Sequence, residues 1–192
     1  MKTIAYYISN YGYGHASRSI AVIRELLREP KVRIIICHSY ALSFIRSSLN
    51  DERVSFKRIK TDIGYFLEKD SIFPDQQLLF QEYKHYLSNW GDRIREEENF
   101  LKQNIVELMV SDISPIAFEA AESIKIPSIG LSNFTWYTAY QGLIEEHELL
   151  PFKEAYQKMN NYFSLAGSQE DWNVENKEYG FFSRAVEDKE VN

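Results

Sequence analysis

One short stretch of this chain gathers residues able to do proton and anion chemistry: Asn10-Tyr11-Gly12-Tyr13-Gly14-His15-Ala16-Ser17-Arg18. It follows directly on an apolar run that opens at Lys2. Glycines there let the backbone turn sharply and approach a ligand closely. A helix opening behind them offers unpaired N–H groups and a positive dipole end to an anion or a developing oxyanion. A histidine on that turn can move a proton near neutral pH. Further polar residues cluster in His38-Ser39-Tyr40, in Ser111-Asp112-Ile113-Ser114 and in Ser132-Asn133-Phe134-Thr135-Trp136-Tyr137.

These clusters share one structural context. Strands are predicted over Lys2–Ser9, Val32–Cys37, Val54–Ile59, Ile105–Val110 and Pro127–Leu131. Helices are predicted between them: Ala16 to Arg28, closed by Pro30, then Tyr40 to Leu49, then Asp75 to Asn104 with a weak point at Trp90-Gly91. Another runs from Pro115 to Ile124, with Ser114 as N-cap and Pro115 at the first helical position. The continuous Val/Ile run at Val32–Cys37 reads as a strand buried on both faces of a parallel sheet. A helix after Trp136, another near Lys153–Asn160, and short strands near Tyr162–Ala166 and Tyr179–Ser183 complete the pattern. Residues Thr61–Pro74 have no clear period and read as a long, functional loop. Alternation of this kind predicts an α/β fold, a Rossmann-like, doubly wound and mostly parallel sheet with helices on both faces. Ligands of such sheets bind beyond the carboxyl ends of the strands, where each polar cluster falls.

Composition narrows the classes. A chain of 192 residues, 44% hydrophobic, suffices for one domain with a full core. The net charge is −6 and no basic patch stands out, which disfavours nucleic acid and anionic membranes as partners. The single cysteine, Cys37, lies in an apolar strand, excludes an internal disulfide and fits a reducing compartment. No apolar segment approaches the roughly 20 residues of a membrane span. A soluble, cytoplasmic protein is expected. His85 and His147 have no acid, Cys or His at a metal-like spacing, so no metal site is expected.

A dinucleotide fingerprint needs a third glycine and an acid at the end of the second strand. Ser17 and Cys37-His38-Ser39 stand in those places and argue against NAD. No Gly-Lys-Ser/Thr follows the loop, which excludes a P-loop. Gly12-Tyr13-Gly14-His15-Ala16-Ser17-Arg18, Val110-Ser111-Asp112-Ile113-Ser114-Pro115 and Ser132-Asn133-Phe134-Thr135-Trp136, in that order, instead resemble the N-terminal half of GT-B-fold glycosyltransferases. The nearest likeness is the Gly-x-Gly-His-Ala-x-Arg domain found also at the front of plant arabinokinases. The resemblance implies two facing Rossmann-like domains. Residues 1–185 would be the acceptor-binding one, residues 186–192 the start of a linker, and a donor-binding domain would be missing.

The resemblance also implies roles. His15 would be the base that deprotonates the acceptor hydroxyl, oriented by Asp112; the plainer alternative for Asp112 is bonding backbone N–H groups of the next helix. Gly12, Tyr13 and Gly14 would face the ligand. Arg18 would bind a phosphate or an acceptor acid, or form a surface ion pair. His38, Asn133, Thr135 and Trp136 would line the acceptor pocket, although His38 reads more readily as structural and Trp136 equally as a core aromatic. The partners would be a sugar or small-molecule acceptor and a nucleotide sugar, UDP-linked, as substrate with no further cofactor. A homodimer of the fragment through an exposed apolar face is a further expectation. Two other functions fit the residues: a GT-B-like sugar-nucleotide epimerase, for which Asp112 is the one evident acid, and a non-catalytic binding domain.

Overall fold

Strand β1 (Lys2–Ile8) is buried from Thr3 onward, and β2 (Val32–His38) is buried on both faces over Ile34–His38, as expected of central strands in a parallel sheet. The computed structural model describes residues 1–180 and 182. All seven described strands are parallel: with β3 (Val54–Arg58), β4 (Leu108–Asp112), β5 (Ser128–Ser132), β6 (Asn161–Leu165) and β7 (Glu175–Tyr179), the order is β3-β2-β1-β4-β5-β6-β7. The chain therefore runs outward through β2 and β3, returns past β1, and runs outward the other way. Between β1 and β4 the winding reverses, and there Ile8 stands level with Asp112. That crevice is the switch point at which doubly wound sheets bind ligands.

Alternate β1 residues serve opposite layers. Ile4, Tyr6 and Ile8 pack with Ile34 and Ile36 under α1 (Tyr13–Leu26) and α2 (Leu42–Ser48). Ala5 and Tyr7 join the larger core under α3 (Gln76–Ser88), α4 (Trp90–Gln103), α5 (Pro115–Ser123), α6 (Trp136–Tyr140) and α7 (Leu150–Tyr156). Five of the 13 tyrosines have a visible use in this layer. Tyr83, Tyr86, Tyr140, Tyr156 and Tyr162 donate to the carbonyls of Glu148, Thr61, Gly64, Ile113 and Ser132 at 2.7–3.0 Å. A phenol can bury its ring and still satisfy a loop carbonyl, so these side chains pin the loops at the functional end of the sheet. Beyond α1 on the other side, Leu108, Ile129, Leu131 and Phe163 line an apolar groove of about 270 Å³.

The doubly wound fold is as expected, but several boundaries move. Helix α1 begins at Tyr13 rather than Ala16, so Gly14 and His15 belong to its first turn. Gly12 precedes it with φ +79°, a conformation that side chains other than glycine rarely adopt. Gly12→Ala is expected to cost about 1–2 kcal/mol, while Gly14→Ala, inside the helix, should be neutral or gain up to about 1 kcal/mol. Urea unfolding of the two variants checks the contrast. The single helix expected over Asp75–Asn104 is two, α3 and α4, which meet at Asn89 beside the predicted weak point; Asp75 caps α3 by accepting the Leu78 N–H at 2.9 Å. β4 starts at Leu108 because Ile105 takes φ +51° in a turn.

β7 lies ahead of the strand predicted at Tyr179–Ser183, the end of which falls outside the described residues. Glu175–Tyr179 is exposed throughout and three of its five residues are charged, so pairing with β6, not an apolar pattern, makes it a strand. The linker expected at 186–192 also lies outside the described residues. Among those described, no helix is long and apolar enough to cross a membrane.

Candidate active site

The switch-point crevice holds a buried carboxylate with three side-chain partners. Asp112, the last residue of β4, is fully buried. His15, on the first turn of α1, places Nδ1 3.1 Å from each of its two oxygens. Arg18 lies one turn further along the same helix face. Its Nε donates to Oδ2 at 2.9 Å and its Nη2 to Oδ1, while Nη1 donates to Asn133 Oδ1 at 2.8 Å. Ser19 Oγ adds a longer bond to Oδ2 at 3.4 Å. Burial pushes the Asp112 carboxyl up, but the Arg18 guanidinium and His15 outweigh it and hold it down at about 2. The same ion pair raises the Arg18 guanidinium against its own desolvation. Asp112 is thus an ionised, charge-compensated group, and it caps no helix.

His15 Nδ1 has a second neighbour, Arg18 Nη2 at 2.9 Å. A guanidinium only donates, so the two contacts demand different tautomers. With a proton on Nδ1, the ring donates to Asp112 and Nε2 keeps its lone pair. With Nδ1 bare, it accepts from Arg18 and Nε2 carries the proton. The second state points a lone pair at two anionic oxygens; the first replaces that repulsion with a charge-assisted hydrogen bond. The carboxylate therefore favours the proton on Nδ1.

The loop after β3 brings a second buried acid. Thr61 Oγ1 donates to the Ile8 carbonyl at 2.7 Å, and the Thr61 carbonyl accepts from Ser114 Oγ at 2.9 Å and Tyr86 OH at 3.0 Å. These bonds lock the loop to the ends of β1 and β4. Asp62 beside it is 1% exposed, and its Oδ1 accepts the Asn10 N–H at 3.2 Å. Oδ2 and Trp136 Nε1 are both buried without a hydrogen-bond partner. Burial pushes the Asp62 carboxyl up; Ser9, the Trp136 indole and the field of His15 oppose this without cancelling it. Trp136 thus helps to hold the charge while falling short of a hydrogen bond. In the sequence Asp62 falls within the functional loop expected over Thr61–Pro74, where no period singles it out. The signal was present, since Thr61-Asp62 also follows the carboxyl end of a parallel strand.

Other expected site residues are differently placed. His38 is fully buried with both ring nitrogens engaged: Nδ1–H donates to the Ile8 carbonyl at 3.1 Å and Nε2 accepts the Ala41 N–H at 2.8 Å. It pins the β2 turn and has no nitrogen left for a substrate. His38→Ala is expected to lower stability by about 1–3 kcal/mol by orphaning those groups, which thermal unfolding would register. Thr135 is buried and bonded to Glu170 Oε1 at 3.0 Å and to Thr138, as part of the cap of α6. Trp136 is fully buried and stacks on Tyr140 at 5.3 Å, so its ring faces no sugar. It backs the aromatic wall instead, with Phe134, Tyr11 and Tyr65 edge-on to it at 5.5–5.6 Å and Phe134 in turn 5.8 Å from His15. Tyr13 is 53% exposed and leans on Tyr40 and Phe44. Over Gly12 and Gly14 an added Cβ would meet nothing within 4 Å, so the first turn of α1 faces open space.

This fold recurs in known proteins. UGT2 of Phytolacca americana, solved with UDP-2fluoro-glucose and pterostilbene, superposes on 97% of this chain with a TM-score of 0.60 at 13% identity. The chain has the fold of a GT-B glycosyltransferase domain. A UDP-glucosyltransferase from Polygonum tinctorium matches 97% of the chain with a TM-score of 0.62 at 11% identity, and MurG of Acinetobacter baumannii matches 93% with 0.55 at 12%. In sequence, an L-arabinokinase of Arabidopsis thaliana is 25% identical over 137 residues, 71% of this chain. No protein-family model matches. The chain spans 55%, 54% and 45% of the three structures and 13% of the arabinokinase. The GT-B likeness therefore describes one domain of a larger architecture.

Proposed function

We propose that this chain is the acceptor-binding half of a sugar-nucleotide-dependent glycosyltransferase, with His15 as its general base. The reading rests chiefly on His15 Nδ1 lying 3.1 Å from both oxygens of a buried, ionised Asp112 at the sheet's switch point. The acceptor hydroxyl attacks the anomeric carbon of the donor sugar. A bond forms from that oxygen to the carbon while the bond from the carbon to the nucleoside diphosphate breaks. The hydroxyl proton passes to Nε2 of His15, and Asp112 stabilises the imidazolium through Nδ1–H. Arg18 offsets the carboxylate charge and ties it to Asn133, fixing both turns. The open backbone at Gly12 and Gly14 lets the reacting groups approach the first turn of α1.

The donor, a UDP-linked sugar, is held by a second domain. Several structural relatives were solved with UDP or a UDP-sugar, which supports that choice. The experiment joins this chain to a donor-binding half and assays nucleoside diphosphate release over a panel of nucleotide sugars and acceptors. Acceptor-dependent turnover is expected. A folded, joined protein that turns over no donor would instead favour a binding domain.

A further inference from the structure

On the β2 side of the β1/β4 crevice, a cavity of about 410 Å³ opens at the carboxyl ends of β1, β2 and β3. Its frame is rigid. Asn10 Oδ1 accepts the Ser39 N–H at 3.0 Å, the Ser39 hydroxyl at 2.9 Å and the Tyr40 N–H at 3.1 Å, and Asn10 Nδ2 donates to Thr61 Oγ1 at 2.9 Å. One side chain thus ties the loops after β1, β2 and β3 together, which lowers the ordering cost of binding there. Asp62 lines the same wall and brings the buried oxygen without a partner. Buried carboxylate oxygens are almost always paired; a small turn of the Asp62 side chain toward the cavity would let a ligand hydroxyl pair this one.

Two cations flank the cavity. Arg58 ends β3 and Lys60 follows it, and both are exposed. Lys60 has a distant partner in Glu82 at 3.9 Å, and among the described residues Arg58 has no carboxylate partner at all. Elsewhere the arginines are engaged: Arg18 with Asp112, Arg53 with Asp51, Arg93 with the Lys60 carbonyl. In a chain of net charge −6, an unpaired guanidinium beside a preformed cavity is a local reversal of sign. Guanidinium and ammonium groups suit phosphate and carboxylate oxygens.

We propose that this cavity seats the acceptor, and that Arg58 and Lys60 select a sugar carrying an anionic group while Asp62 takes one of its hydroxyls. The proposal rests on the acceptor-half reading. Its test, however, needs neither donor nor second domain, so failure of one does not entail failure of the other.

Calorimetric titration of the 192-residue chain would use sugar 6-phosphates and uronates of the glucose and galactose series, the matching neutral sugars, and inorganic phosphate. At least one sugar anion should bind about tenfold or more tighter than its neutral counterpart, the size expected of one charge-assisted contact. Whether phosphates or uronates lead identifies the anionic group. The double variant Arg58→Ala/Lys60→Ala, exposed at both positions, should abolish the preference with an unchanged circular dichroism spectrum. Asp62→Asn should weaken the sugar anions and leave inorganic phosphate unaffected. Equal binding of neutral and anionic sugars would overturn the proposal. So would a preference that survives the double variant, inorganic phosphate binding as tightly as every sugar anion, or no measurable binding of any sugar anion.

Discussion

His15→Ala, in this chain joined to a donor-binding half, should lower kcat by about 10²–10⁴-fold, the usual contribution of a positioned general base. KM for the acceptor should change little. A histidine that only bound the acceptor would show the opposite split, a raised KM with kcat retained. Asp112→Asn should cause a comparable loss in kcat for a different reason. An amide can present N–H as well as oxygen to Nδ1, so the imidazole is free to move its proton to Nε2, where the lone pair is needed. The two variants should also fail to add: once either is made, the other costs little, because both remove the same proton transfer. Independent, additive effects would mean that the pair does not work as a unit.

Arg18→Ala should be the most destabilising surface-to-core change at the site, by about 3–5 kcal/mol, because it leaves a buried carboxylate without its guanidinium. For a domain of this size that corresponds to a fall of roughly 10 °C in unfolding midpoint. The pH dependence gives an independent check. In the folded chain Asp112 is held at about 2, below the roughly 3.9 of an unfolded aspartate. A depressed carboxyl stabilises the fold above its unfolded value and loses that contribution as pH falls toward its folded one. Stability should therefore decline by about 2–3 kcal/mol between roughly pH 5 and pH 2. In Arg18→Ala the carboxyl moves back up, so that acid-induced part of the decline should shrink. Urea midpoints of both proteins at neutral pH and about pH 3 would measure it.

The sheet was legible because its strands are short, apolar and regularly spaced between helical segments. The strand-end rule then drew the His15 and Asp112 loops into one crevice, although the two residues are far apart in sequence. Residues serving backbone needs were harder to read. His38 has the composition and location of a ligand-binding residue, yet both its nitrogens are spent on the chain itself, which only coordinates reveal. Trp136 and Thr135 share a turn with Asn133, but the start of α6 carries them inward to Tyr140 and Glu170. Asp62 stayed hidden because its loop has no period; applying the strand-end rule to β3 as well would have marked it. β7 could not be seen at all, since an edge strand of mostly charged residues is made by pairing alone.

The tautomer of His15 decides whether it can act as a base. Asp112 and Arg18 both contact Nδ1, and only a proton there leaves Nε2 able to accept one from the acceptor hydroxyl. Ring ¹⁵N chemical shifts of His15 in the labelled chain distinguish the two states. A protonated Nδ1 and a bare Nε2 are expected, shifting toward the other tautomer in Asp112→Asn. A proton on Nε2 in the unaltered chain, with Nδ1 accepting from Arg18, would contradict this and retire His15 as the base.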